Sequence, residues 1–221
     1  IFLSFFNAVT TKKMFADRGW DEDVYYASMY DITIWTKVTH KKYGVWGLEN
    51  YSWVDHFLKG IIVRLGRLQF HEITYDRPDY DHAGVRVKKG DKVINIHIPE
   101  GDSLTRDKRI DAYKRAYKFF CRSGKAVFVC DSWLFYDKHR EFLSPNSNIL
   151  DFMNDFHYIE YYESHSLENM WRIFGFPENY DDLSKLPRTT GMQRAYADWL
   201  TSHGTTGSAR GVMIFDGENI L

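Results

Sequence analysis

Cysteine is nearly absent: the 221 residues contain two, Cys121 and Cys130. Two cysteines do not build a disulfide framework, and Cys130 sits in an apolar run, so a reduced pair in the cytoplasm is expected, with Cys130 buried. Long apolar runs are missing too. No stretch approaches the roughly 20 apolar residues that a membrane-spanning helix needs. Excess charge of either sign is lacking, since the formal net charge is -1. That argues against bulk attraction to nucleic acid or to an anionic membrane. Repeats and low-complexity segments do not occur. The phosphate-binding glycine patterns G-x-x-x-x-G-K-[ST] and G-x-G-x-x-G are absent. The nine histidines form no H-E-x-x-H and have no C-x-x-C partner, so no metal site is expected.

What is abundant is aromatic. Phe, Tyr and Trp make up 17% of a chain that is 44% hydrophobic, which excludes disorder and predicts a core built largely of rings. At this length one large domain or two small ones fit. The chain opens on Ile1 and is at once apolar (Phe2, Leu3, Phe5, Phe6). With no basic segment before it and no small-residue cleavage site after it, this start reads as a chain lacking upstream residues rather than as a signal peptide.

Residues 1–58 read as helical. Asp21 is placed to cap a helix whose Val24, Tyr25, Ser28, Met29, Ile32 and Trp35 share a face, and a second apolar set follows a turn at Gly44 and Gly47. From Gly60 the pattern changes to alternation. Ile61, Val63 and Leu65 run in one phase and Leu68 and Phe70 in the other, so a β-bulge or bend is expected at Gly66-Arg67, with Leu65 and Leu68 both facing apolar neighbours. Short strands are expected near 84–87 and 92–98. A helix over Arg106–Phe120 should bury Ile110, Tyr113, Ala116, Tyr117 and Phe120. Ala126–Cys130 has the continuous apolar character of a strand covered on both faces. Beyond it the pattern gives a helix from Asn148, a strand over Tyr158–Ser164 and a short helix over Leu167–Phe174. A helix opened by the Thr190/Gln193 capping box and a last strand through Val212–Phe215 complete the chain. The expected class is α+β, or mixed α/β, with a central sheet.

The most informative stretch is Val93–Thr105. Ile94, Ile96 and Ile98 point to one face, Asn95 and His97 to the other, and the strand empties through Pro99-Glu100-Gly101 onto the start of the long helix. Such turns gather free backbone N–H groups and a helix dipole, so they suit anions or acid–base chemistry. His97 and Glu100 are the acid–base candidates there; packing under the helix is the alternative for His97, and an interaction with the helix terminus for Glu100. Arg106 and Arg109 could help hold an anion, whereas Glu100, Asp102 and Asp107 crowd the same end with negative charge. Cys130-Asp131-Ser132-Trp133 has no neighbouring histidine to form a thiolate, which favours packing.

Together, Arg64-Leu65-Gly66-Arg67-Leu68-Gln69-Phe70, Ile96-His97-Ile98-Pro99-Glu100-Gly101, Cys130-Asp131-Ser132-Trp133-Leu134 and Ser147-Asn148-Ile149 before Phe152 resemble a bacterial acyltransferase family. That family has an N-terminal helical domain followed by a GNAT-like C-terminal domain. The resemblance implies a GNAT-like central mixed sheet flanked by helices over 59–221, preceded by a small helical domain over 1–58. It implies acyl-CoA as co-substrate, with the pyrophosphate on the loop after the fourth strand and the pantetheine between two splayed strands. Here the fourth strand would be Lys92–Ile98, the fifth Ala126–Cys130 and the next helix Asn148–Phe156. The binding set would be Ile98, Gly101, Ser103, Leu104, Thr105, Arg106 and Arg109. The family's usual Gln/Arg-x-x-Gly-x-Gly/Ala loop is replaced by Pro-Glu-Gly-Asp-Ser-Leu-Thr. The function implied is acyl transfer from acyl-CoA to a small molecule or amine by direct attack, with Glu100 or His97 as base. The alternative is a non-catalytic ligand- or partner-binding module on the same fold.

Overall fold

A computed structural model describes residues 2–121, 124–177, 180 and 182–221, with the side chains of 2–5 and 168 outside the description. Phe2, Leu3 and Phe5 of the apolar opening therefore lie outside it as side chains. The chain forms two compact units, residues 1–129 with 213–221 and residues 130–212.

The first unit begins with three helices, α1 (Phe2–Asp17), α2 (Glu22–Tyr43) and α3 (Tyr51–Leu58). Asp21 occupies the N-cap of α2 without a side-chain capping bond, and Gly44 closes that helix at φ 72°, in the left-handed region that favours glycine. Val24, Tyr25, Ser28, Met29 and Ile32 are buried as the helical period requires. Strands β1 (Val63–Leu65) and β2 (Leu68–Thr74) follow, then a small hairpin of β3 (Tyr80–His82) and β4 (Val85–Val87), then β5 (Lys92–His97). Helix α4 (Arg106–Phe120) leads to β6 (Ala126–Ser132).

The bulge or bend expected at Gly66-Arg67 is a tight hairpin turn. Leu65 pairs with Leu68 and Val63 with Phe70, so the two residues between the strands reverse the chain. Gly66 has φ 65°, and glycine at the first central position is what a type II′ turn demands. The phase change came from starting a new strand, and it keeps both Leu65 and Leu68 buried. The order β1-β2-β5-β6 makes a mixed sheet. The first two junctions are antiparallel, and β5 runs parallel to β6 with Ile94 opposite Phe128 and Asn95 opposite Val129.

One sheet face is sealed by α4. Phe70, Phe128 and Phe215 meet Tyr113 in a ring cluster, with Tyr113–Phe128 centroids 6.0 Å apart and Tyr113–Phe215 6.1 Å. Each such fully buried ring is worth about 1.5–3 kcal/mol of transfer free energy. The stripe on α4 is rotated from the expected one. Arg109, Ala112, Tyr113 and Ala116 are its buried residues, while Ile110, Tyr117 and Phe120 are half-buried.

The second unit holds α5 (His139–Phe142), α6 (Asn148–Met153), β7 (His157–Ser164), α7 (Trp171–Phe174) and α8 (Gly191–His203). Strand β8 (Thr206–Phe215) pairs antiparallel with β7 and ends in the first unit. The helix expected over 167–174 is divided into a 3-10 turn at Glu168–Met170 and α7. The capping box of α8 is present, with Thr190 and Gln193 bonded reciprocally, and Gly204 ends the helix at φ 67°. Met170, Ile173, Phe174, Leu186, Tyr196, Ala197 and Leu200 form one core cluster. A β-carbon on Gly211 would lie 2.8 Å from that of Phe156, so a residue without one is required there. Both cysteines are free thiols and Cys130 is buried, as expected.

Candidate functional site

The sheet face opposite α4 is polar where β2 meets β5. Register places Gln69 opposite His97 and His71 opposite Asn95, so alternate positions of two strands present four polar side chains side by side. Helix α2 supplies Asp31, which accepts from Gln69 Nε2 at 2.6 Å and from the Trp53 indole N–H of α3 at 3.0 Å. Asp31 and Gln69 are each 1% exposed. Burial pushes the Asp31 carboxyl up, while the two donors and the nearby Arg64 charge pull it back.

His97 is the hub of this face. Its Nε2 lies 3.0 Å from Asn95 Nδ2 and 3.1 Å from His71 Nδ1. The two imidazoles are near-parallel at 7° with centroids 4.9 Å apart, and the Trp53 ring meets His97 edge-on at 4.8 Å. Burial drives the His97 pKa down to about 3, with His71 and His56 acting in the same direction. His71 is half-buried, and its pKa is lowered by burial and by His56. Both rings are therefore neutral at pH 7.

Past His97 the chain turns into the loop that carries the expected binding residues. Ile98 is half-buried and Pro99 buried; Glu100, Gly101, Asp102 and Ser103 are exposed; Leu104 is buried, Thr105 half-buried and Arg106 exposed. Two buried arginines hold this loop by its carbonyls. Arg67 donates from Nε to Asp102 O at 2.5 Å and from Nη1 to Pro99 O at 2.9 Å. Arg109 donates from Nη1 to Leu104 O at 2.6 Å. Arg109 is 0% exposed, so it faces the interior and shapes the loop, where the sequence led us to expect a side chain reaching for an anion. Burial lowers the Arg67 pKa to about 10, with Arg64 adding to the shift and Asp102 opposing it, which leaves the guanidinium charged at neutral pH.

The start of α4 is already served by an acid. Asp107 is held below the usual carboxylate range by the Thr105 hydroxyl, helped by backbone N–H groups at Lys108 and at Asp107 itself. Asp102 is likewise lowered, chiefly by Lys108, whose Nζ lies 3.1 Å away. Among the described residues Glu100 has no hydrogen-bond or ion-pair partner, whereas His97 is bonded to Asn95 and His71. Gly101 has φ 138° with nothing within 4 Å of a built β-carbon, so a side chain there would strain the backbone without a clash.

Thus the structure joins His97 to Asn95 and His71, and Leu104 to Arg109, but leaves Glu100 apart. Gln69, His71 and Asn95 were missed as site residues. Their signal was present in the sequence, as polar residues two apart on two strands, but it needs the hairpin register to align them. Among the described residues no group of three or more His, Cys, Asp and Glu side chains is arranged to hold a metal ion, and no helix is long and apolar enough to cross a membrane. Burial raises the Cys130 thiol far above its usual range, which removes it as a nucleophile.

Residues 62–213 match the model of the GNAT-like C-terminal domain, and residues 2–60 match that of the N-acyltransferase N-terminal domain. No curated protein matches the chain. Among solved structures, an acyltransferase in complex with decanoyl-CoA and teicoplanin is similar at TM-score 0.77 and 23% identity, over 93% of this chain and 62% of that one. An acyltransferase in complex with decanoyl-CoA is similar at TM-score 0.76 and 24% identity, with the same coverage. The chain thus spans about 62% of the length of these structures, and the likeness establishes a shared fold. With the greater part of its length matched by that one domain model, the chain belongs to the family of the GNAT-like C-terminal domain.

Proposed function

We propose that the protein is an acyl-CoA-dependent acyltransferase that moves an acyl group to an amine of a small molecule. The observation that carries this is the unit formed by β5, its arginine-held loop and α4. It combines a preshaped loop with a polar face at the same strand end, on a fold shared with acyltransferases crystallised with decanoyl-CoA. In this proposal residues 98–106 receive the CoA pyrophosphate, with Gly101, Ser103, Leu104 and Thr105 lining it by backbone and Arg106 supplying exposed charge. Arg109 and Arg67 fix the loop from within. The acidic side chains Glu100, Asp102 and Asp107 work against an anion, so affinity for CoA should be modest. We further propose residues 1–58 as a helical domain and 59–221 as the acyl-transferring domain. The two free thiols support the cytoplasm as its compartment.

The chemistry needs no covalent enzyme intermediate. The amine nitrogen attacks the thioester carbonyl, a C–N bond forms, the C–S bond breaks, and the nitrogen loses a proton to a base as CoA leaves. Of the two acid–base candidates, His97 lies within an ordered polar network and Glu100 does not, so we assign the proton transfer to the histidine side.

Calorimetric titration with CoA and decanoyl-CoA, followed by a CoA-release assay with a panel of primary amines, tests the proposal. Saturable binding and amine-dependent CoA release are expected. Absence of binding at millimolar ligand would contradict it and leave a non-catalytic binding module on this fold.

A further inference from the structure

Resting on the acyltransferase reading, we propose that the proton-accepting atom is Nε2 of His71, and that His97 is its positioning partner. The inference starts from the donors around one nitrogen. His97 Nε2 is approached by Asn95 Nδ2 at 3.0 Å, and an amide NH₂ only donates. With the Asn95 NH₂ turned toward it, His97 Nε2 acts as the acceptor, which assigns the ring proton to Nδ1. The second neighbour, His71 Nδ1 at 3.1 Å, is then a donor too. One in-plane lone pair receives both, so His97 has none left for a substrate proton.

The same hydrogen bond fixes the tautomer of His71. With its proton on Nδ1, its lone pair is on Nε2, and that nitrogen has no hydrogen-bond partner among the described residues. An imidazole held through Nδ1–H by an acceptor while Nε2 stays open is the arrangement by which a histidine base is oriented. Here a neutral imidazole takes the orienting place. The remaining polar and charged groups around the pair are His56 and Trp53 of α3, Asp31 of α2 with its Arg64 neighbour, and Gln69. Burial, with His56 acting in the same direction, lowers the His71 pKa, which favours a His71 that is unprotonated and ready at neutral pH.

The step balances. As the amine adds to the thioester carbon, its proton passes to His71 Nε2, giving an imidazolium whose Nδ1–H remains on His97. When the C–S bond breaks, the departing CoA thiolate takes that proton, and His71 returns to its starting form.

The experiment combines a tautomer assignment with variant kinetics on the whole chain. Long-range ¹H–¹⁵N spectra at neutral pH should show both His71 and His97 protonated on Nδ1; a His97 protonated on Nε2 would overturn the proposal. His71→Gln should lower amine-dependent CoA release by about 10²- to 10⁴-fold, with decanoyl-CoA affinity by calorimetry and the circular dichroism melt nearly unchanged. His97→Gln, which keeps an acceptor, should retain more activity than His97→Leu, and His56→Gln should move the acid limb of kcat/KM to higher pH. Glu100→Gln should cost less than about tenfold, below the worth of a general base. A His71→Gln protein that binds decanoyl-CoA and releases CoA at the unaltered rate would overturn the role of His71 alone. Failure of the unaltered protein to bind decanoyl-CoA would overturn the acyltransferase reading, and the role of His71 with it.

Discussion

His97, half-buried in the first unit, and His139, buried in the second, are both neutral, yet their surroundings differ in one respect. His139 is closed at both nitrogens: Nδ1 lies 3.1 Å from Leu134 O, and Nε2 is bonded to the Tyr196 hydroxyl. Rings of Trp133, Tyr136, Phe142 and Tyr196 pack around it, and it is 0% exposed. The His97 network instead runs on through His71 to a nitrogen without a partner. A satisfied buried histidine is a packing element; a chain of hydrogen bonds that ends in an open lone pair is equipped to move a proton. Both pKa values fall, to about 3 for His97 and about 4 for His139, because burial penalises the charged form. A depressed pKa alone therefore does not distinguish the two; the open end does.

Four perturbations would break or sharpen this contrast. The largest effect is expected at the open end, where His71→Gln should remove roughly 3–5 kcal/mol of transition-state stabilisation, the equivalent of the rate loss expected of a general base. The corresponding change at the closed end, Tyr196→Phe, should leave turnover intact. It orphans His139 Nε2 and should cost about 1–3 kcal/mol of stability in a denaturant melt. A rate loss in Tyr196→Phe would erase the distinction.

Next comes the loop beside the open end. Arg67→Met leaves the Pro99 and Asp102 carbonyls without their charged donor and should cost about 2–3 kcal/mol of stability. The KM for acyl-CoA should rise more than kcat falls, and the reverse split would argue against the loop as the CoA contact.

The last effect is shared by both histidines. Their native pKa values lie below the ordinary 6.5, so between that value and about 3–4 the unfolded chain binds more protons than the native one. Stability should be full above pH 6.5 and fall as the pH drops through this window. Thermal melts from pH 7 to pH 4 should show it, and His139→Gln should flatten the slope without changing the acid limb of the rate.

Much of the architecture was legible because it follows from periodicity. The alternation of Ile94 and Ile96 against Asn95 and His97 survives in the folded strand, and the Thr190/Gln193 capping box starts α8. The hairpin at Gly66-Arg67 is not separable from a bulge in the sequence because both devices change the phase of alternation, and only pairing of Leu65 with Leu68 tells them apart. The site was half legible. His97 stood out by its place at a strand end before a helix. His71 did not, since its significance comes from lying opposite Asn95 across a strand pair, a relation set by long-range register. Arg109 was misjudged because a helical arginine usually stays at the surface, and here the Leu104 carbonyl helps to satisfy its buried guanidinium.

The contrast between an open and a closed histidine is tested most directly by following the imidazole nitrogens through a pH titration in long-range ¹H–¹⁵N spectra. His71 should protonate first, at Nε2 and below pH 6.5, while His97 and His139 remain neutral until about pH 3 and 4. Protonation of His97 or His139 ahead of His71 would contradict the account.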